Sequence, residues 1–440
     1  MLNLTIKEKI AYGLGDTASN IIFQTVMMFL LIYYTDVVGL SPAVVGTLFL
    51  VVRIFDAITD PLMGALADRT NTRWGQFRPY LLWLALPFGL ASVLAFTSFD
   101  LSENGKLIYA FITYALLMLV YTAINIPYSA LGGVLTADPK ERVSVQSYRF
   151  VFGMLGGLIV AAGTMPLVDW FGADNKALGY QQAMLAMSVL GVILFLLCFA
   201  GTQERVAVPK NQKSSFKQEL HALWQNDQWR ILCLAGLLLL SGQVLRGTLA
   251  VYYVKYYLGK SELITLFMTL GMIASILGCA LSQTLAKKVC KIKAYIALQT
   301  IAASICVFSY FIGREQIYLA FIMFFLWSFF LQMATPLLWA KMADTIDYGH
   351  WKTGIRITGM VYSAVVFFIK LGVAVGGALA GWLLAYYGYQ ADIEQNENTL
   401  HGILLSFTIF PAIGSFLVAW VMRWYQLDEQ KITEIHKALS

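Results

Sequence analysis

Residues 203–230 read QERVAVPKNQKSSFKQELHALWQNDQWR, the longest polar interruption in a chain of 440 residues. Six long apolar runs precede it, at 11–35, 43–66, 79–98, 107–135, 147–170 and 179–202. Six more follow, at 231–257, 262–286, 294–313, 317–342, 357–388 and 400–424. Roughly 20 apolar residues suffice to cross a bilayer. The expected fold class is therefore an all-α polytopic membrane protein, with 12 transmembrane helices in two six-helix bundles. The N-terminal bundle covers 1–202, a cytoplasmic linker 203–230, the C-terminal bundle 231–425 and a cytoplasmic tail 426–440. A faint internal echo agrees with two halves: ADPKERVSVQSYR (137–149) after the fourth run resembles ADTIDYGHWKTGIR (343–356) after the tenth.

Composition excludes a water-soluble globule. Only 13% of residues are charged and 59% are hydrophobic, with a mean hydropathy of +0.68, whereas soluble domains are about a quarter charged. No basic cluster lies outside short loops, so nucleic acid is not an expected partner. With the N-terminus inside, Lys and Arg divide 23 to 4 between the two sides, the outer four being Lys106, Lys176, Lys260 and Arg314. That asymmetry puts both termini in the cytoplasm. The first apolar run is too long for a signal-peptide core and reads as a retained span. Five scattered cysteines and four histidines offer no disulfide framework and no metal cluster. The cysteines read as small buried hydrophobes.

A charge in the middle of a bilayer costs several kcal/mol (about 2.5–3.5 on insertion scales), so each one calls for a partner or a use. The apolar runs contain Asp16, Arg53, Asp56, Asp60, Arg246, Lys255 and Lys370. In RIFDAITDP, Arg53, Asp56 and Asp60 are three and four residues apart and stack along one helix face. The two carboxylates suit a hard cation or a shared proton; the competing reading is a structural ion pair with Arg53. Asp16 and Asn20, four apart in GLGDTASN, pair an acceptor with an amide and so fit sugar hydroxyls. On the fourth run Tyr121, Asn125 and Ser129 repeat that spacing, with Thr122 beside them, and face protein or a cavity. Lys370 needs an acidic partner, with Asp56 and Asp60 the candidates in kind. Arg246 meets either an anionic substrate group or a buried partner such as Asp16. Arg73, Arg78, Asp344 and Asp347 fall in loops at cytoplasmic ends, where acid and base would gate the inner opening.

The segments KEKIAYGLGDTASN (7–20), YYTDVVGLSPAVVGTLFLVVRIFDAITDPLMG (33–64), TRWGQFRP (72–79), YTAINIPYSALGG (121–133) and ADTIDYGHWKTGIRITG (343–359) resemble one family. It is the melibiose-carrier-like glycoside–pentoside–hexuronide:cation symporters of the major facilitator superfamily. The resemblance runs along nearly the whole chain. It implies alternating access, a Na+ or H+ coupling ion and no other cofactor. It implies a bacterial inner (plasma) membrane location, a small-molecule glycoside and membrane lipid as partners, and a monomer. It places Asp56, Asp60 and Thr122 at the cation site, as metal ligands if the ion is Na+, and Arg149 on the sugar path. Galactoside-carrying members have aspartates where this chain has Asn20 and Asn125, and an aromatic where it has Ser129. The pattern is closer to the pentoside and hexuronide branch. The expected substrate-binding set is Asp16, Asn20, Tyr121, Asn125, Arg149, Arg246 and Lys370. A sugar uniporter without cation coupling is the alternative. A remote one is an intramembrane aspartyl protease, since GLGD matches that enzyme's motif, although no helix precedes it to carry the second aspartate.

Overall fold

The computed structural model describes residues 4–136, 139–205, 216–286, 288–354 and 358–439. Among the described residues regular structure is helical, apart from one isolated bridge between Thr72 and Gly75. In chain order the α-helices are α1 Ile6–Ile32, α2 Pro42–Arg69, α3 Arg78–Ala95, α4 Glu103–Val134, α5 Pro139–Gly172, α6 Lys176–Gly201, α7 Phe216–Gln225 and α8 Asp227–Tyr252. They continue as α9 Ile264–Ala286, α10 Lys291–Tyr310, α11 Ile317–Thr353, α12 Thr358–Tyr386, α13 Glu397–Phe407, α14 Ile409–Val421 and α15 Glu429–Leu439. Among the described residues twelve stretches are long and apolar enough to cross a membrane, as the hydropathy pattern anticipates. The chain forms two compact units. One is Met1–Lys210 with Glu262–Thr269 and Tyr389–Ile393, and the other is the remainder.

The helix starts follow from local chemistry. Thr5 and Glu8 form a reciprocal capping box on α1. Ser102, Asn175, Asn226 and Asn396 each accept the backbone N–H three residues on, in the first turn of the following helix. The ends of the first and seventh spans share a device: each closes in one π-helical turn, Tyr33–Val37 and Tyr253–Tyr257. Each then stops at a glycine with positive φ, Gly39 at 83° and Gly259 at 66°. IYYTDVVGLS and YYVKYYLGKS thus carry the same local structure at a constant spacing of 220 residues.

In the first unit α5 lies against α1 along a seam of glycines. A Cβ on Gly153 would stand 2.3 Å from an Asp16 carboxylate oxygen, and one on Gly156 would stand 2.8 Å from the Thr17 carbonyl. Only hydrogen at these positions lets the two helices approach so closely. The second unit repeats the relation between α12 and α8. There a Cβ on Gly372 would meet the Leu237 carbonyl at 2.5 Å, and one on Gly376 the Ser241 carbonyl at 2.6 Å.

Three expectations are corrected. Residues 343–353 are not a loop, because α11 runs on to Thr353 and puts Asp344 and Asp347 on a helix. Lys341 bonds Asp344 at 2.7 Å, while Tyr348 and Lys352 both bond Asp227. These bonds give the polar face of the extension its partners. Within 203–230, α7 forms at 216–225 and α8 already begins at Asp227. The last span is broken at Thr408, three residues before Pro411, into α13 and α14. Proline at 411 leaves the backbone four residues before it without a donor, which suits an interruption there.

Both flanks of the linker are fastened within their own units. The Glu204 carboxylate accepts the backbone N–H groups of Gln76, Phe77 and Arg78 at 2.8, 2.7 and 2.9 Å. This supplies the donors at the start of α3 with an anion, the sign a helix N-terminus favours. Arg205 pairs with Glu8 at 2.5 Å and its backbone N–H donates to the Val134 carbonyl at 2.9 Å. On the far side Asn226 caps α8 and donates its amide to the Thr345 carbonyl at 2.8 Å.

Candidate cation and sugar sites

Two polar groups lie inside the first unit. The first is on α2 and α4. Asp56 is fully buried and Thr122 is nearly so. The Thr122 hydroxyl lies within hydrogen-bonding distance of both acids, in a short contact with Asp56 and at 3.1 Å from Asp60. Thr59 bonds back to the Asp56 carbonyl at 2.9 Å, holding that turn of α2. Arg53 stands 3.9 Å from Asp56, too far for a strong hydrogen bond. Its guanidinium also reaches Met27 Sδ at 3.8 Å and lies 5.3 Å from the Phe23 ring centre. Among the described residues no cluster of three His, Cys, Asp or Glu is placed to hold a metal. A cation here would rest on two carboxylates and hydroxyl or carbonyl oxygens, the ligand set of a hard ion.

The second group joins α1, α4 and α5. Arg149 Nε donates to Asp16 at 2.9 Å and its Nη2 donates to Ser129 at 3.1 Å. Asn20 donates to the same Asp16 carboxylate at 3.2 Å. Arg149 is held from below by the Tyr128 ring, 5.2 Å away. That ring stacks on Tyr12 at 4.8 Å, and the Tyr128 hydroxyl donates to the Tyr12 carbonyl at 2.7 Å. On α4 the Asn125 amide donates to the Tyr121 hydroxyl at 3.3 Å. The Asn125 carbonyl oxygen is buried and has no hydrogen-bond partner among the described residues. A buried acceptor left empty costs about 1–3 kcal/mol, which makes it a ready receiver for a ligand hydroxyl.

The structure therefore brings Asp16, Asn20 and Arg149 together, sets Tyr121 with Asn125, and gathers Asp56, Asp60 and Thr122. Asp16 pairs with Arg149. Arg246 lies in the second unit with no exposed surface. It donates to Cys306 Sγ at 2.7 Å and is enclosed by the rings of Phe407 and Trp327 at 4.3 and 4.6 Å. In this arrangement it is not presented to a solute, and Cys306 is a hydrogen-bond partner rather than a plain hydrophobe. Lys370 sits half-buried on α12 of that unit. Arg78 donates to the Trp74 and Phe199 carbonyls at 3.2 and 2.8 Å, and Arg73 lies over the Trp74 ring at 4.3 Å. Arg78 is the first residue of α3. Its donors go to its own unit, as do those joining Lys341 to Asp344.

Sequence reasoning passed over Phe23, Tyr12 and Tyr128. Tyr128 adjoins the Ser129 of the recognised stripe, so its place beside Arg149 could have been found. Phe23 carried no signal beyond lying three residues after Asn20.

A family model described as MFS/sugar transport protein matches residues 11–429, and the chain belongs to that family. It is similar to the inner membrane symporter YicJ of Escherichia coli K12, with 44% identity over 99% of this chain and 95% of that one. It is also similar to the putative glycoside/cation symporter YagG of the same organism, 41% identical over 100% of this chain and 96% of the relative. Among solved structures, a D-xylose–proton symporter superposes with a TM-score of 0.68 at 14% identity, covering 95% of this chain and 97% of the other. That likeness establishes the fold, a major facilitator arrangement of transmembrane helices.

Proposed function

We propose that the protein imports a glycoside of the pentoside or hexuronide type by symport with Na+ or H+. It does so by alternating access between an N-terminal and a C-terminal six-helix bundle in a bacterial inner membrane, with both termini in the cytoplasm. The observation that carries the reading is the hydroxyl of Thr122 between two carboxylates. A hydroxyl has one hydrogen and donates to one acid only. The second oxygen–oxygen contact becomes favourable when a proton or a metal cation joins it. The kinship with a putative glycoside/cation symporter supports this use of the acids.

In this reading Asp56, Asp60 and Thr122 hold the coupling ion. Asp16, Asn20, Tyr121, Asn125 and Arg149 bind the sugar through its hydroxyls, with Lys370 as the second bundle's contribution. Arg73, Arg78, Asp344 and Asp347 serve the inner opening by holding helix ends in place. Ion binding raises sugar affinity, and linkage requires the sugar to raise ion affinity by the same factor. One charge moving inward across 100 mV supplies about 2.3 kcal/mol, enough for roughly 50-fold accumulation.

The test is uptake of radiolabelled glycosides into vesicles holding wild type, Asp56→Asn or Asp60→Asn, with and without Na+ and a pH gradient. Wild type should accumulate sugar when driven by one of the ions. Both variants should lose accumulation yet retain downhill exchange. Accumulation that ignores both substitutions returns the acids to a structural role. Wild-type uptake that never exceeds equilibrium under any ion gradient makes the protein a uniporter.

A further inference from the structure

Arg246, on α8 of the second unit, is a guanidinium with no exposed surface. Such a group keeps its charge in a protein, and a buried charge is costly unless something pairs with it. Among the described residues no carboxylate does so; the ionisable groups that face it are the Cys306 thiol and the Tyr253 phenol. Nη1 donates to Cys306 Sγ at 2.7 Å. Nε and Nη2 are buried and have no hydrogen-bond partner among the described residues. Those two atoms form one edge of the planar group, the fork that holds an acceptor with two N–H donors. The Trp327 ring centre lies 4.6 Å from the guanidinium carbon, and its indole N–H is also buried without a partner among those residues. An indole N–H, like a guanidinium, only donates. Two adjoining side chains thus offer donors with nothing to accept them.

We propose that this edge of Arg246 holds a small monovalent anion such as chloride, as a structural ion of the second unit. Donors grouped around one fixed positive charge select an acceptor that brings one negative charge. Water would satisfy the N–H groups and leave the charge unbalanced. A doubly charged anion would overbalance it and would cost far more to strip of its hydration shell. The surroundings set the size. Phe324, Trp327 and Phe407 stand with ring centres 5.9, 4.6 and 4.3 Å from the guanidinium carbon. An ion enclosed with them is dehydrated and compact. It is distinct from the coupling ion, which is a cation bound by acids of the first unit.

The experiment follows thermal unfolding of the full-length protein, solubilised and purified in sodium glutamate. Chloride then replaces glutamate, an anion too large for an enclosed site, at constant Na+ and ionic strength. In wild type the melting temperature should rise by roughly 2–4 °C and level off, as filling of one site requires. Arg246→Met removes the charge at similar length and should abolish the rise. Trp327→Phe keeps a ring, removes one donor and should move the midpoint to several-fold higher chloride. A wild-type melting temperature that ignores chloride overturns the proposal. So does a rise that never saturates, which is a general salt effect. A full rise in Arg246→Met puts the ion elsewhere and overturns it as well. If Arg246→Met fails to fold, an unchanged midpoint in Trp327→Phe has the same force.

Discussion

Arg149 is the residue on which the sugar-side group turns. It spends one donor on Asp16 and another on Ser129 while its face rests on Tyr128. Breaking a buried pair from one side leaves the other charge uncompensated, at about 3–5 kcal/mol; the partial exposure of both partners puts the cost at the lower end. Arg149→Gln should therefore lower the melting temperature of the detergent-solubilised protein, and adding Asp16→Asn should raise it again without restoring sugar binding. Equal melting temperatures for single and double variants would show that the pair carries no such strain. Asn125→Ala should weaken sugar binding roughly tenfold, the worth of one buried acceptor filled by a ligand hydroxyl. It should also change the order of preference among epimeric glycosides, which a competition panel reads directly. At this scale the sequence displays the acids and amides plainly, because few polar groups occur in apolar runs. The partner of Asp16 is hidden from it: Arg149 is 133 residues away and became a candidate only through family resemblance.

At the scale of elements the glycine seam makes the sharpest forecast. In Gly153→Ala the added methyl would sit 2.3 Å from an Asp16 oxygen. Either α5 backs away from α1 or the carboxylate turns aside, and both loosen the Arg149 contact. Sugar affinity should fall several-fold or more while circular dichroism keeps its full helical signal; unchanged affinity would mean that the seam has slack. Glu204→Gln should cost stability of about 1–2 kcal/mol, since a charge-assisted acceptor for three amides becomes a neutral one. Thermal unfolding of the sugar-free protein reads that change. The spans themselves were legible as apolar runs of sufficient length. The extension of α11 was not, because ADTIDYGHWKT is as polar as a loop and its helical face declares itself only once Asp227 and α15 are in place. The matching π-turns at the ends of the first and seventh spans were written in one shared tyrosine, one glycine and one serine. They are a stronger internal echo than the one the loops display.

For the whole molecule, orientation is the simplest forecast. A cysteine placed at 438 should react with a membrane-impermeant maleimide only after the cells are opened, and one at 314 before; the reverse pattern would invert the topology. The Lys/Arg ledger carries that expectation. The linker's two flanks lead further. Glu204 and Arg205 tie the departing chain to α1, α3 and α4, while Asn226 ties the arriving chain to α8 and α11. Each flank is thus fastened to helices of its own unit. Continuity of the polypeptide should then matter for stoichiometry more than for structure: genes encoding 1–210 and 211–440, expressed side by side, should yield two fragments that find each other in the membrane and transport.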